Sequence, residues 1–264
     1  MRPAGSCGAE WRAKQSEVSS ETMKAYGKTD CGLVRANNQD TFRIDIREEI
    51  GFIVLCDGMG GAKAGNVASD KAAELFMAVL TERGTPQMGE TEMANLLVEA
   101  AAAANAGVYE LAGSSPDYEG MGTTLVGGIC VNEMVMLINI GDSRAYVLDD
   151  HRIAQITRDH SWVEELIAQG RLTREEAATY PGRNLITRAV GVDPQVEGDL
   201  YRVTLSEGQS ILLCSDGLSG MVTDGEIALC TAEAESQEQA CEMLVRAACD
   251  HGGHDNVTVV LYSI

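Results

Sequence analysis

The sequence predicts an α+β domain built from antiparallel strands and paired helices. Three observations carry that expectation. Short apolar runs of strand length recur along the 264 residues, and several end at an aspartate beside a glycine. Two long stretches in the first half instead space their apolar residues like helices. Many of the strand-like runs follow one another through turns too short for a crossover helix, which favours antiparallel pairing.

Taken in order, residues 1–22 are polar and patternless, so they are expected to be a disordered or dispensable extension, with Met23 a candidate start. A strand-like segment opens at Met23. Residues 30–40 form a loop rich in Asn, Asp and Gly with one arginine, Arg35, and residues 41–46 are a candidate strand. Phe52 to Leu55 read as a short buried strand, with Asp57 just past its end and Gly58, Gly60 and Gly61 forming a turn. Ala68, Ala72, Leu75, Phe76, Val79 and Leu80 then follow helical spacing, ended by Gly84 and Pro86. A second helix is expected over about 91–112, its alanines fit for close packing. After a loop at 113–122 come strands at 123–130, 134–140, 144–148 and 152–156. Residues 157–191 break the pattern. Ser161-x-x-Glu164 and Thr173-x-x-Glu176 are capping boxes for two short helices, and the polar segment reads as a flap inserted between strands. Strands resume at 200–205 and 209–214, capping boxes at Thr223 and Ser236 start two more helices, and a strand at 257–262 follows.

Composition narrows the function. The chain shows no repeat or linker, so residues 23–264 are expected to form one domain. No apolar run approaches the ~18 residues of a membrane span, and the start lacks a signal-peptide core, so a cytoplasmic protein is expected. Forty acids against 20 bases give a net charge of −20, which disfavours nucleic acid and anionic membranes as partners. Eight cysteines without a CxxC pair argue against zinc, and Cys56, Cys130 and Cys214, inside apolar runs, read as reduced core residues. His251 and His254, beside glycines, read as structural, as does His160 on balance.

The strand-end acids stand apart from this surface charge. Asp40, Asp57, Asp142, Asp216 and Asp255 each sit at the end of an apolar strand. If those ends converge, the carboxylates repel, and some must take up protons or bind a cation. A hard divalent metal suits an all-oxygen set. Arg35, by composition, reads first as a solvated surface cation and second as a clamp for an anion.

Seven motifs then occur in a characteristic order: Thr-Asp-Cys-Gly-Leu-Val-Arg-Ala-Asn-Asn-Gln-Asp (29–40), Asp-Gly-Met-Gly-Gly (57–61), Gly-Met-Gly-Thr-Thr (120–124), Gly-Asp-Ser-Arg (141–144), Thr-Arg-Asp-His-Ser (157–161), Ser-Asp-Gly-Leu (215–218) and His-Asp-Asn-Val-Thr (254–258). With them, nearly all of the chain from Met23 resembles the bacterial metal-dependent serine/threonine phosphatases of the protein phosphatase 2C type. The resemblance implies a four-layer α-β-β-α sandwich, two antiparallel sheets flanked by helix pairs. It implies Mn²⁺ or Mg²⁺ as cofactors, two per site with room for a third. Asp57 would bridge the two ions, Gly58 would offer its carbonyl, Asp216 and Asp255 would complete the set, and Asp40 would act through water. Asp142, with Asp216, would hold the third ion, and Arg35 would grip the phosphate. Phosphoserine and phosphothreonine would be hydrolysed by direct attack of a metal-bridging hydroxide, with no phosphoenzyme.

Met59 departs from the histidine that many eukaryotic members carry there as a proton donor. A metal-bound water is the expected donor, with His160 a weaker candidate. Tyr180 departs in the flap, where many bacterial relatives begin the corresponding motif with histidine, and so bears on substrate choice. The resemblance further implies phosphoprotein substrates, an opposing serine/threonine kinase and a monomer. Two alternatives remain: a silent phosphoprotein-binding relative, disfavoured because all five aspartates are present, and a phosphatase of small phosphoesters.

Overall fold

Residues 23–150, 152–177 and 179–264 are described by the computed structural model; the expected extension at 1–22 lies outside the described residues. The chain begins with β1 (Lys24–Asp30), β2 (Asp40–Ile46) and β3 (Ile50–Met59), then α1 (Gly61–Arg83) and α2 (Glu90–Ala112). β4 (Gly122–Thr123), β5 (Leu125–Val131), β6 (Met134–Ile140), β7 (Arg144–Asp149) and β8 (Arg152–Gln155) follow. Two short helices, α3 (Trp162–Ala168) and α4 (Arg174–Ala177), precede β9 (Asp199–Thr204) and β10 (Ser210–Cys214). The chain continues through α5 (Asp216–Ser219), α6 (Asp224–Glu233), α7 (Gln237–Asp250) and β11 (Val257–Ser263).

Two antiparallel sheets result. One has the order β1-β11-β10-β7-β8; the other has β2-β3-β5-β6-β9, with β4 paired to the far end of β3. Side-chain alternation builds three apolar layers from these strands. In β3, Phe52, Val54 and Cys56 pack outward with α1 and α2, while Ile53 and Leu55 face the other sheet. In β11, Val257, Val259 and Leu261 join α7, while Val260 and Tyr262 fill the space between sheets. β10 divides its residues in the same way. The order is therefore helix pair, sheet, sheet, helix pair, as expected. It also explains why these strands read as unbroken apolar runs: both faces of each central strand are buried.

Two boundaries differ from expectation. β3 does not stop before Asp57, because Asp40 of β2 pairs with Asp57 and β4 then carries the ladder on to Gly58 and Met59. α1 starts at Gly61, ahead of the helical spacing that opens at Ala68, since Gly60, at φ 129°, lets the chain turn straight from strand into helix. The segment between β8 and β9 is anchored at both ends by isolated bridges, Ser161 to Ile186 and Val190 to Thr123.

Candidate metal centre

The five aspartates sit where strand ends from both sheets meet. Asp40 opens β2 and lies directly opposite Asp57 across the β2–β3 ladder. Asp142 occupies the turn between β6 and β7, after Gly141 at φ 107°. Asp216 is the first residue of α5, immediately after β10, and Asp255 lies just before β11. Arg35, Asp57, Gly58, Asp142, Asp216 and Asp255 all line one cavity of about 520 Å³, together with Met59. Asp40 is not on its wall; it stands behind Asp57, 7 % exposed.

The site is held by residues that sequence reasoning missed. Thr124 Oγ1 accepts from the Asp57 N–H at 2.9 Å, and Thr123 Oγ1 and the Thr124 N–H donate to the Asp57 carbonyl, both at 2.9 Å. These threonines are the Thr-Thr of the 120–124 motif, so the signal was present. Asp40 Oδ2 accepts from Ser215 Oγ at 2.8 Å and from Thr258 Oγ1 at 2.7 Å. Asn256 accepts from the Gln39 N–H and donates to the carbonyls of Cys31 and Asn37, tying the Arg35 loop to the Asp255 turn. Gly58 must be glycine: a Cβ there would stand 2.0 Å from the Gly65 carbonyl oxygen of α1.

The electrostatics are those of crowded, buried carboxylates. Burial pushes Asp57 well above its ordinary range, and the charges of Asp40, Asp216, Asp142 and Asp255 push it further. Asp40 is raised to about 7, mainly by burial, although its two hydroxyl partners pull the other way. Asp142 is likewise raised to about 7, by burial and then by Asp216 and Asp159. Asp216 is raised by burial and by Asp255. Asp40 Oδ1 and Asp216 Oδ1 are buried without a hydrogen-bond partner among the described residues. Orphaned carboxylate oxygens among like charges fit a hard cation, which would satisfy the lone pairs and remove the repulsion together. Among the described residues, no group of three or more His, Cys, Asp or Glu side chains is already gathered around one point. The fit therefore rests on donor chemistry, burial and charge rather than on a preset coordination cage.

Arg35 proves to be part of the cavity, its guanidinium 2.7 Å from Asp255 Oδ2 while half of the side chain stays exposed. His160 lies behind the site, not in it. It is buried, its Nδ1 accepts from the Gly141 N–H at 3.2 Å, and its Nε2 meets Asp199 Oδ2 at 3.2 Å. That geometry fits a neutral imidazole with the proton on Nε2, and burial lowers its pKa. His251 contacts the Met221 carbonyl and Glu226, away from the cavity. All seven described cysteines are free thiols, and none lines the cavity.

Known proteins resemble this chain in sequence and fold. The family model described as "Protein phosphatase 2C" matches residues 34–251. A protein of Listeria monocytogenes named "Serine/threonine phosphatase stp" is 35% identical over 240 residues, covering 90% of this chain and 95% of its own. The crystal structure of the serine/threonine phosphatase Stp1 from Staphylococcus aureus superposes with a TM-score of 0.85 at 37% identity, covering 92% of this chain and 95% of its own. The catalytic domain of the serine threonine protein phosphatase PstP, solved in complex with two manganese ions, superposes at a TM-score of 0.77 and 36% identity, over 92% of this chain and 98% of its own. With this extent of match, the chain belongs to the protein phosphatase 2C family.

Proposed function

We propose that this chain removes phosphoryl groups from phosphoserine and phosphothreonine in proteins, opposing a serine/threonine kinase, and that it does so as a cytosolic monomer. The observation that carries the reading is the gathering of Asp57, Asp142, Asp216 and Asp255 with Arg35 around one cavity, with the orphaned oxygen of Asp216 among them. Asp57, the Gly58 carbonyl, Asp216 and Asp255 would hold two Mn²⁺ or Mg²⁺ ions, with Asp40 reaching them through water. Asp142 and Asp216 would take a third. When bound, such ions acidify water and neutralise charge on the phosphoryl group.

The protein's own residues do the rest. Arg35 carries a planar pair of donors that suits two phosphate oxygens, and it trades Asp255 for the phosphate when substrate arrives. The Thr123–Thr124 contacts fix the Asp57 backbone, so that its carboxylate is oriented before any ion binds. Met59 lines the cavity and has no proton to give, and His160 is turned away, so the leaving oxygen takes its proton from water. Since no thiol among the described residues lines the cavity, direct displacement without a covalent phosphoenzyme suits the site.

The test is hydrolysis of a phosphothreonine peptide by chelated protein, with and without added Mn²⁺, beside Asp216→Ala. Turnover that requires the ion and vanishes in the variant is expected. A folded, manganese-loaded protein without turnover would overturn the reading in favour of a silent phosphoprotein-binding module.

A further inference from the structure

The three most exposed large apolar side chains among the described residues are Leu33, Val34 and Leu185, at 69, 63 and 60 %. Single exposed aliphatics are ordinary on a protein surface, but three on the rim of one polar cavity are not. Leu33 and Val34 directly precede Arg35, and Leu185 stands between Asn184 and Ile186, both of which line the cavity. The backbone presents these side chains on fixed supports. The Leu33 N–H donates to the Gly253 carbonyl at 2.8 Å, and Leu185 is held at both ends, donating to Gly182 at 3.0 Å and accepting from the Trp162 N–H at 2.8 Å. Met59 and Ile186 continue the apolar surface into the cavity wall.

We propose that Leu33, Val34 and Leu185 form a clasp for aliphatic residues flanking the phosphorylated residue of an extended protein segment. The proposal rests on the phosphatase reading, because it places the phosphate at Arg35. An extended chain advances about 3.3–3.6 Å per residue, so the residues one and two positions away lie about 3.5 and 7 Å along the backbone from the phosphorylated residue, in reach of side chains that neighbour the cavity lining. Charge selects among such segments. The whole chain carries a net charge of −20, so acidic flanks are repelled by the surface around the cavity. Aliphatic flanks meet no such penalty and bury the exposed Leu and Val side chains on contact.

The experiment compares two phosphothreonine peptides of equal length and charge, one with leucine and one with serine on both sides of the phosphothreonine, against a blocked phosphothreonine that has no flanks. Manganese-loaded wild type is expected to favour the leucine peptide by roughly tenfold in kcat/KM. Val34→Ser/Leu185→Ser is expected to abolish that preference through KM, with hydrolysis of the blocked phosphothreonine unchanged. Equal rates on the two peptides in wild type, or a preference that survives in the double variant, would overturn the clasp. So would equal rates together with a wild-type dimer that dissociates in the variant, since the rim would then be a self-contact. A wild type inert on all three substrates would refute the phosphatase reading and the clasp with it; activity on the blocked phosphothreonine separates the two failures.

Discussion

Asp40→Asn isolates the electrostatic strain of the buried site. Asp40 accepts two hydroxyl hydrogen bonds at Oδ2 and faces Asp57 across the ladder. Asparagine keeps the acceptor and the shape but removes the charge. In chelated protein the Asp40 carboxyl is raised from 3.8 to about 7, so the folded state binds its proton more tightly than the unfolded chain does. Such a group lends full stability below the unfolded value and loses it as pH climbs through the folded one. At about 1.4 kcal/mol per pH unit, the loss is on the order of 1 to 2 kcal/mol at pH 5 and about 4 kcal/mol at pH 8. Chelated Asp40→Asn should therefore gain about 3 kcal/mol on wild type between those two pH values, read by urea denaturation with chelator present. Relief of the charge on Asp57 acts in the same direction. Parallel stability profiles for the two proteins, or a variant less stable than wild type at pH 8, would refute the reasoning. Saturating Mn²⁺ should reverse the order, because the cation compensates the charge that the variant lacks.

Other substitutions probe separate parts of the structure. Arg35→Lys replaces a fork by a point charge and should lower kcat/KM on a phosphopeptide roughly ten- to a hundredfold, with Mn²⁺ binding by calorimetry unchanged. Gly58→Ala forces a Cβ against the Gly65 carbonyl oxygen at 2.0 Å and the Gln39 carbonyl oxygen at 2.8 Å, and should cost several kcal/mol or prevent folding. Gly225→Ala, in α6 with open space around it, should instead stabilise the fold by about 0.4–1 kcal/mol, read by urea denaturation. His160→Ala strips partners from the Gly141 N–H and from Asp199 and should destabilise by about 1–3 kcal/mol, read by urea denaturation. It should leave both limbs of the pH–rate profile in place, and a displaced limb would make His160 a proton donor after all.

Much of this architecture was legible because local signals agreed with the final structure. The capping boxes at Thr223 and Thr173 begin α6 and α4, as their spacing requires. The apolar runs became strands and the five aspartates fell at their ends. Layer order was not legible without the resemblance. Phe52 and Ile53 are equally apolar, yet they face different cores, so burial on both faces erases the sign that would say which. Asp57 read as lying beyond its strand because the apolar run ends before it, whereas its pairing with Asp40 of β2 and the two-residue β4 beyond it leave no period in the sequence. The hydroxyls of Ser215 and Thr258 went unnoticed for a different reason. Their role depends on β10 and β11 standing side by side and on Asp40 arriving from the other sheet, and both are facts of register.

The position of β11 sets when the protein can become active during its synthesis. β11 is the last strand described, yet it lies inside its sheet between β1 and β10, and β1 pairs with it along its whole length. A nascent chain that has emerged only as far as α7 has β1 without a ladder partner, Asp40 without Thr258, and neither Asp255 nor Asn256 to tie down the Arg35 loop. The early helices and the β2–β3–β5–β6 sheet can form from contacts close in sequence, whereas the carboxylate cavity must wait for a pairing that spans almost the whole chain. The scaffold thus forms before the cavity, which is complete only once β11 has emerged and paired.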